Sequence, residues 1–72
     1  MPPVRVIVAA PEAAADPRAE LWVGDARLAE TVLYDGRLYV RLEPRPDGER
    51  WLIEAASLAL ALDDAARQIA GH

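Results

Sequence analysis

Apolar and polar residues alternate along the middle of the chain, and glycine interrupts the alternation at a regular interval. Gly24, Gly36 and Gly48 are spaced twelve residues apart, and an aspartate adjoins each of them. Glycine adopts positive φ without a steric clash and aspartate tolerates it, so each pair suits a tight turn whose twist matches antiparallel strands. The pattern therefore predicts a β-meander.

The apolar runs on either side of these turns give the strands. The β-branched run at residues 4–10 predicts an N-terminal strand, which prolines on both sides place at a sheet edge. Pro17 prevents a helix from continuing through the next segment, so residues 11–18 are predicted to form a loop. The predicted strands of the meander are residues 19–23, 26–34, 37–43 and 50–54.

The period of the apolar residues changes near the C-terminus. Steps of three and four residues separate Leu58, Leu62, Ala65 and Ile69. This spacing is typical of an amphipathic helix, which we predict over residues 58–70, with Ser57 as its N-cap and Gly71 as the residue after its C-terminus. Leu60 falls off the apolar stripe, on the polar side of this helix.

Strands grouped before a single helix favour an α+β fold over alternating βαβ units. The chain has 72 residues, which is the size of one small domain. We therefore predict one domain over residues 1–72, in which an antiparallel β-meander of four to five strands carries one C-terminal amphipathic helix on one face.

The central hairpin fixes which side chains share a face of the sheet. If Asp35 and Gly36 are its two central residues, counting outward sets the register and places Glu30 opposite Arg41 as a pair of opposite charges. One face is apolar and suited to a core: Ala29, Thr31, Leu33, Leu38, Val40 and Leu42. The other face is mixed: Glu30, Val32, Tyr34, Arg37, Tyr39 and Arg41.

The mixed face gains further apolar residues when the count continues through the Gly24-Asp25 turn. A surface this apolar is expected to meet a partner, and the outward position of Leu60 gives a second indication of one. We therefore predict a homodimer, formed over the mixed face or by strand pairing at an edge. The predicted interface residues are Leu21, Val23, Leu28, Val32, Tyr39 and Leu60.

Composition adds to the expectation of a second subunit. A domain of this size buries only about 60% of the surface that its unfolded chain exposes, and small domains usually add disulfides, a metal or oligomerisation. The chain has no cysteine and a single histidine, His72, so oligomerisation is the remaining way to stabilise so small a domain. Twelve acidic residues against eight arginines give a net charge of −4, which disfavours nucleic acid as a partner. No export signal or membrane span is apparent, and a cytoplasmic protein is expected.

Few residues could carry catalysis. A nucleophile with a base needs Ser, Cys or Thr near His or Lys, and the chain offers Ser57, Thr31 and the terminal His72 without any lysine or cysteine. Asp63 and Asp64 are adjacent on the predicted helix, so their side chains diverge instead of converging on one metal ion. We predict no catalytic, cofactor or metal site, and no enzymatic activity.

The most suggestive polar pattern is the strand-face stripe of Arg37, Tyr39 and Arg41. Alternating arginine and tyrosine can pair with the carboxylates of a protein partner or stack on nucleic-acid bases, and can equally be cross-strand packing. We predict a non-enzymatic protein-interaction module that contacts itself and another protein. Weak nucleic-acid binding through the stripe is an alternative, and an enzyme accessory or small-ligand carrier is a third.

The C-terminal pattern Ser57-Leu58-x-x-Ala61-Leu62-x-x-Ala65-x-x-x-Ile69 after a group of strands resembles the end of HicB-type antitoxin domains. The resemblance covers about a quarter of the chain, and the glycine- and aromatic-rich hairpin expected upstream in that family is not apparent. It implies an antitoxin that inhibits a partner nuclease by protein contact, which is a further alternative function.

Overall fold

The structure is a computed structural model that describes residues 3–9 and 18–70. Its strands are β1 (Val4–Ala9), β2 (Arg18–Val23), β3 (Ala26–Tyr34) and β4 (Arg37–Leu42), and its helix is α1 (Ala55–Ala70). The strands form one antiparallel sheet in chain order, so the predicted α+β meander is confirmed with four strands. Most of the predicted loop at 11–18, and the predicted C-terminal Gly71, lie outside the described residues.

The β3–β4 hairpin has the register that was counted from its turn. Asp35 and Gly36 both have positive φ, at 53° and 74°, which is the conformation of a two-residue type I′ turn. Glu30 lies opposite Arg41 and Val32 opposite Tyr39, as predicted. The turn chemistry alone therefore sets the two faces of this hairpin.

The β2–β3 pair contains a bulge that changes the faces. Trp22 pairs with Arg27, but Leu21 pairs with Ala29, which leaves Leu28 as an extra residue. The predicted position of Leu21 and Leu28 on the mixed face is therefore wrong. Leu21 is 0% exposed and Leu28 is 2% exposed, and both belong to the core with Ala29.

Val23 was also assigned to the mixed face, and this assignment is wrong as well. Val23 is half-buried and packs against the core cluster that contains Leu21. It pairs with Val4 of β1, which packs against the same cluster. The inner surface of the sheet is therefore continuous from β1 to the start of β3.

Residues 50–54 form no strand, contrary to the sequence-based prediction. Pro44 and Pro46 lack the N–H groups that continued pairing would use. The chain instead turns back, and the Trp51 indole N–H donates to the Glu43 carbonyl oxygen at 2.7 Å. Arg45 stacks over the same indole at 5.8 Å from its ring centroid, so Trp51 is held against the core.

The helix begins at Ala55, three residues before the predicted start, which rules out Ser57 as its N-cap. The first helical hydrogen bond runs from the Leu58 N–H to the Glu54 carbonyl oxygen at 3.0 Å. Ser57 lies in the first turn, where its Oγ accepts the Val4 N–H at 3.2 Å. This bond ties the start of β1 to the start of α1.

The predicted apolar stripe of the helix packs on the sheet, chiefly against β1 and β2. Its small residues allow a close approach: Ala61 packs with Leu21, and Ala65 with Ala19. The fully or nearly fully buried apolar residues are Ala19, Leu21, Leu28, Ala29, Ala61, Ala65 and Ile69. The core therefore lies over one half of the sheet.

Candidate interaction surface

The inner face of the β3–β4 hairpin is left uncovered by the helix. A helix is about 10 Å wide and strands are about 4.8 Å apart, so one helix covers about two strands of a four-stranded sheet. Leu33 and Val40 are each 40% exposed and Leu42 is 68% exposed, although the sequence predicted all three in the core. We call Leu33, Val40 and Leu42 the helix-side patch.

The outer face of the same hairpin carries aromatic side chains. Tyr34 and Tyr39 contact each other edge to face, with ring centroids 6.3 Å apart, and both are exposed. Together with Val32 and Arg41 they line a shallow open depression. Val32, which is half-buried, and the exposed Tyr39 thus lie on the outer face, as predicted, and a planar or apolar group of a partner could pack there.

The predicted stripe of Arg37, Tyr39 and Arg41 does lie along one face of β4, and all three side chains are exposed. Arg41 already donates to Glu30 Oε1 at 3.1 Å, which confirms the predicted cross-strand pair. Arg37 makes no ion pair with the described residues. The stripe therefore contains one arginine engaged within the chain and one that a partner could bind.

The outer face over β2 and β3 is polar, in contrast to the hairpin. Arg27 bridges two carboxylates, with Nη atoms 2.9 Å from Glu20 and 2.5 Å from Glu43. The hydrogen bonds that Arg27 donates to Glu20 and then to Glu43 raise the pKa of its guanidinium. Trp22 lies beside them and donates its indole N–H to Glu20 at 3.3 Å. This network makes the outer face over β2 and β3 polar, in contrast to the outer face of the hairpin.

Leu60 is exposed, as predicted, but on the other side of the molecule. It lines a shallow groove between α1 and β1 with Pro3, Val4 and Arg67. The six predicted interface residues therefore do not form one surface. Leu21 and Leu28 are in the core, and Val23 is half-buried against it. Val32 and Tyr39 lie on the outer face of the hairpin, and Leu60 lies on the helix beside β1.

The helix-side patch was missed because the sequence shows which side chains share a face but not how far the helix extends over it. One signal was present: four or more strands and one helix cannot match in width. Five of the eight large hydrophobic side chains that the described residues expose belong to this hairpin. They are Leu33, Tyr34, Tyr39, Val40 and Leu42.

The two described hydroxyl candidates for catalysis are engaged with the backbone. Thr31 is buried, and its Oγ1 accepts the Ala19 N–H at 2.9 Å, while Ser57 accepts the Val4 N–H. His72 lies outside the described residues. Within residues 3–9 and 18–70, no three His, Cys, Asp or Glu side chains are grouped to hold a metal ion.

Comparisons with protein-family models, with curated proteins and with solved structures each find nothing similar. Among the described residues, α1 is too short and too polar to cross a membrane, and no other helix is present.

Proposed function

We propose that this protein is a non-enzymatic interaction module that associates with itself and with other proteins through the β3–β4 hairpin. The observation that carries the proposal is the concentration of exposed large apolar side chains on this hairpin, on both of its faces. Contiguous apolar surface of this kind marks contact sites in soluble proteins. The cytoplasmic location expected from the sequence is part of the same proposal.

The remaining chemistry of the chain supports binding over catalysis. The buried Thr31 hydroxyl and the Ser57 hydroxyl each accept a backbone N–H, which is a structural use. The depression at Val32, Tyr39 and Arg41 is open and shallow, unlike the enclosed clefts that enzymes use to exclude water. Such a surface suits a protein partner.

The test is the mass of the protein in solution. Sedimentation equilibrium of the full chain at micromolar concentration is expected to give about twice the chain mass of 7.8 kDa. Leu42→Lys places a charge on the helix-side patch and is expected to return the monomer mass. Leu52→Lys is the matched control, because Leu52 is also exposed but lies outside the hairpin, and it should leave the dimer intact.

Two results would contradict the proposal. If the wild-type chain remains monomeric throughout the concentration range, the proposed self-association does not occur. A dimer that survives Leu42→Lys but is lost in Leu52→Lys would place the contact surface elsewhere on the molecule.

The nucleic-acid and HicB-like antitoxin alternatives stay predictions. Nucleic-acid binding through Arg37, Tyr39 and Arg41 would weaken steeply with salt, because phosphate contacts release counterions. A titration against RNA and DNA at two salt concentrations tests it, and the Glu30–Arg41 pair and the charge of −4 both oppose it.

A further inference from the structure

The outer edge of β4 presents backbone groups that no other strand of the described residues pairs with. Residues that flank a two-residue hairpin turn form a hydrogen-bonded pair, and such pairs alternate along the strands. Tyr34 and Arg37 flank this turn. The backbone of Arg37, Tyr39 and Arg41 therefore faces β3, and that of the alternate residues, Leu38, Val40 and Leu42, faces the open edge.

The other edge of the sheet, at β1, is less suited to pairing. Pro3, which precedes β1, has no N–H, and the Val4 N–H donates to Ser57. The segment after β4 turns away from the β4 edge, because Arg45 and Asp47 lie beside Val23 at the far end of the sheet. The β4 edge is therefore the one to which a further strand can add.

We infer that a second copy of this chain pairs with β4 in antiparallel fashion, with the twofold axis at Val40, to form a continuous eight-stranded sheet. This inference rests on the proposed self-association and specifies the backbone groups of β4 that would form the contact. Each chain would contribute the same edge, as a twofold contact requires. The backbone groups of Leu38, Val40 and Leu42 would gain partners in the second copy.

Charge selects this register over its rival. A twofold pairing that uses the outward backbone groups and overlaps five residues can be centred only on Tyr39 or on Val40. Centring on Tyr39 places Arg37 directly opposite Arg41 of the second copy, twice, and like charges in that position are destabilising.

Centring on Val40 removes both repulsions. Arg41 then faces Tyr39 of the second copy, where a guanidinium can stack on the ring. Just beyond this overlap Arg37, which makes no ion pair with the described residues, comes opposite Glu43 of the second copy, a carboxylate that also binds Arg27 of its own chain. Leu38 meets Leu42 on the helix side, and Val40 meets its own counterpart. Apolar side chains therefore meet apolar ones within the overlap, and opposite charges meet at the positions that flank it.

Single cysteine variants can identify this register by disulfide formation, because the chain has no cysteine of its own. In the inferred dimer the two Val40 Cα atoms lie about 5.5 Å apart, within the range that a disulfide spans. The two Tyr39 positions, and likewise the two Arg41 positions, are diagonal neighbours at about 7–8 Å, which a disulfide does not span without movement.

The experiment compares oxidative cross-linking of the full-length variants Val40→Cys, Tyr39→Cys and Arg41→Cys, each checked for native far-UV circular dichroism. Val40→Cys is expected to form covalent dimers fastest, and the other two are expected to lose most of that yield. An equimolar mixture of Tyr39→Cys and Arg41→Cys should regain it, because these positions face each other across the axis.

Each other outcome overturns the inference in a recognisable way. Fastest cross-linking of Tyr39→Cys alone would establish the rival register. A wild-type dimer in which none of the three variants cross-links would place the contact away from β4 and leave the proposed self-association standing. A monomeric wild-type chain would contradict both the inferred β4 pairing and the proposed self-association.

Discussion

Thr31 is the one buried polar side chain in the described core, and its hydroxyl continues the sheet where backbone pairing stops. The β2–β3 register ends at Glu20 and Glu30, and the next N–H, that of Ala19, donates to Thr31 Oγ1. Thr31→Val keeps the shape and removes the acceptor. We expect it to destabilise the fold by about 1–3 kcal/mol, the cost of an unsatisfied buried donor, measured by urea unfolding.

Thr31→Ser is the matched control, since it keeps the hydroxyl and loses only a methyl group. It should retain more stability than Thr31→Val. Equal stability of Thr31→Val and the wild type would show that the Ala19 N–H has another acceptor, such as water.

Gly36 tests the turn chemistry on which the hairpin register depends. Nothing lies within 4 Å of the position that its Cβ would take, so Gly36→Ala introduces no clash with neighbours. The cost comes from the positive φ of 74° and is expected to be about 1 kcal/mol in thermal or urea unfolding. Asp35→Asn is the control and should be nearly neutral, because asparagine also accepts the positive φ of a type I′ turn.

At the scale of single elements, the two adjacent helix residues Ala65 and Ala66 face opposite surroundings. Ala65 is fully buried against Ala19, whereas Ala66 is exposed. We expect Ala65→Leu to destabilise the protein by about 1–3 kcal/mol through overpacking. Ala66→Leu should change stability by no more than about 0.5 kcal/mol. Similar effects of the two variants in denaturant unfolding would mean that α1 is rotated or lifted relative to the sheet.

The elements with local signals could be predicted from the sequence, and those set by a bulge could not. The type I′ turn at Asp35-Gly36 fixed the β3–β4 register, and every counted pair of that hairpin is present. The same count failed across the Gly24-Asp25 turn, because the extra residue Leu28 shifts the faces of β2 relative to β3. A bulge requires no particular residue type, so the only indication of it in the sequence was the pair of adjacent apolar residues Leu28 and Ala29.

The candidate surface was predicted in part for the same reason. Val32 and Tyr39 belong to the hairpin whose register was right, and both lie on its outer face. Leu21 and Leu28 depended on the bulged pair, and both are core residues. Val40 and Leu42 were assigned to the correct face but to the wrong environment, since coverage by α1 is a property of the assembled layers.

At the scale of the whole molecule, the helix and the sheet are mismatched in width, and this mismatch links stability to association. The core lies under α1 over β1 and β2, so the hairpin contributes apolar side chains that the isolated chain leaves in water. Packing Leu38, Val40 and Leu42 beside the same residues of a second copy would stabilise the folded state, because each Å² of apolar surface removed from water contributes about 25 cal/mol. A small domain with no disulfide depends more on such a contribution than a large one does.

Thermal unfolding should therefore depend on protein concentration. Because a second copy binds the folded chain and not the unfolded one, mass action predicts that the Tm of the wild type rises with concentration. Leu42→Lys is expected to have a lower Tm that no longer changes with concentration, while Leu52→Lys keeps the dependence. A wild-type Tm that stays constant over a wide range of concentration would mean that the fold is complete without a partner on β4. In that case the exposed apolar hairpin must be stable in water through the β-propensity and turn geometry of its own residues.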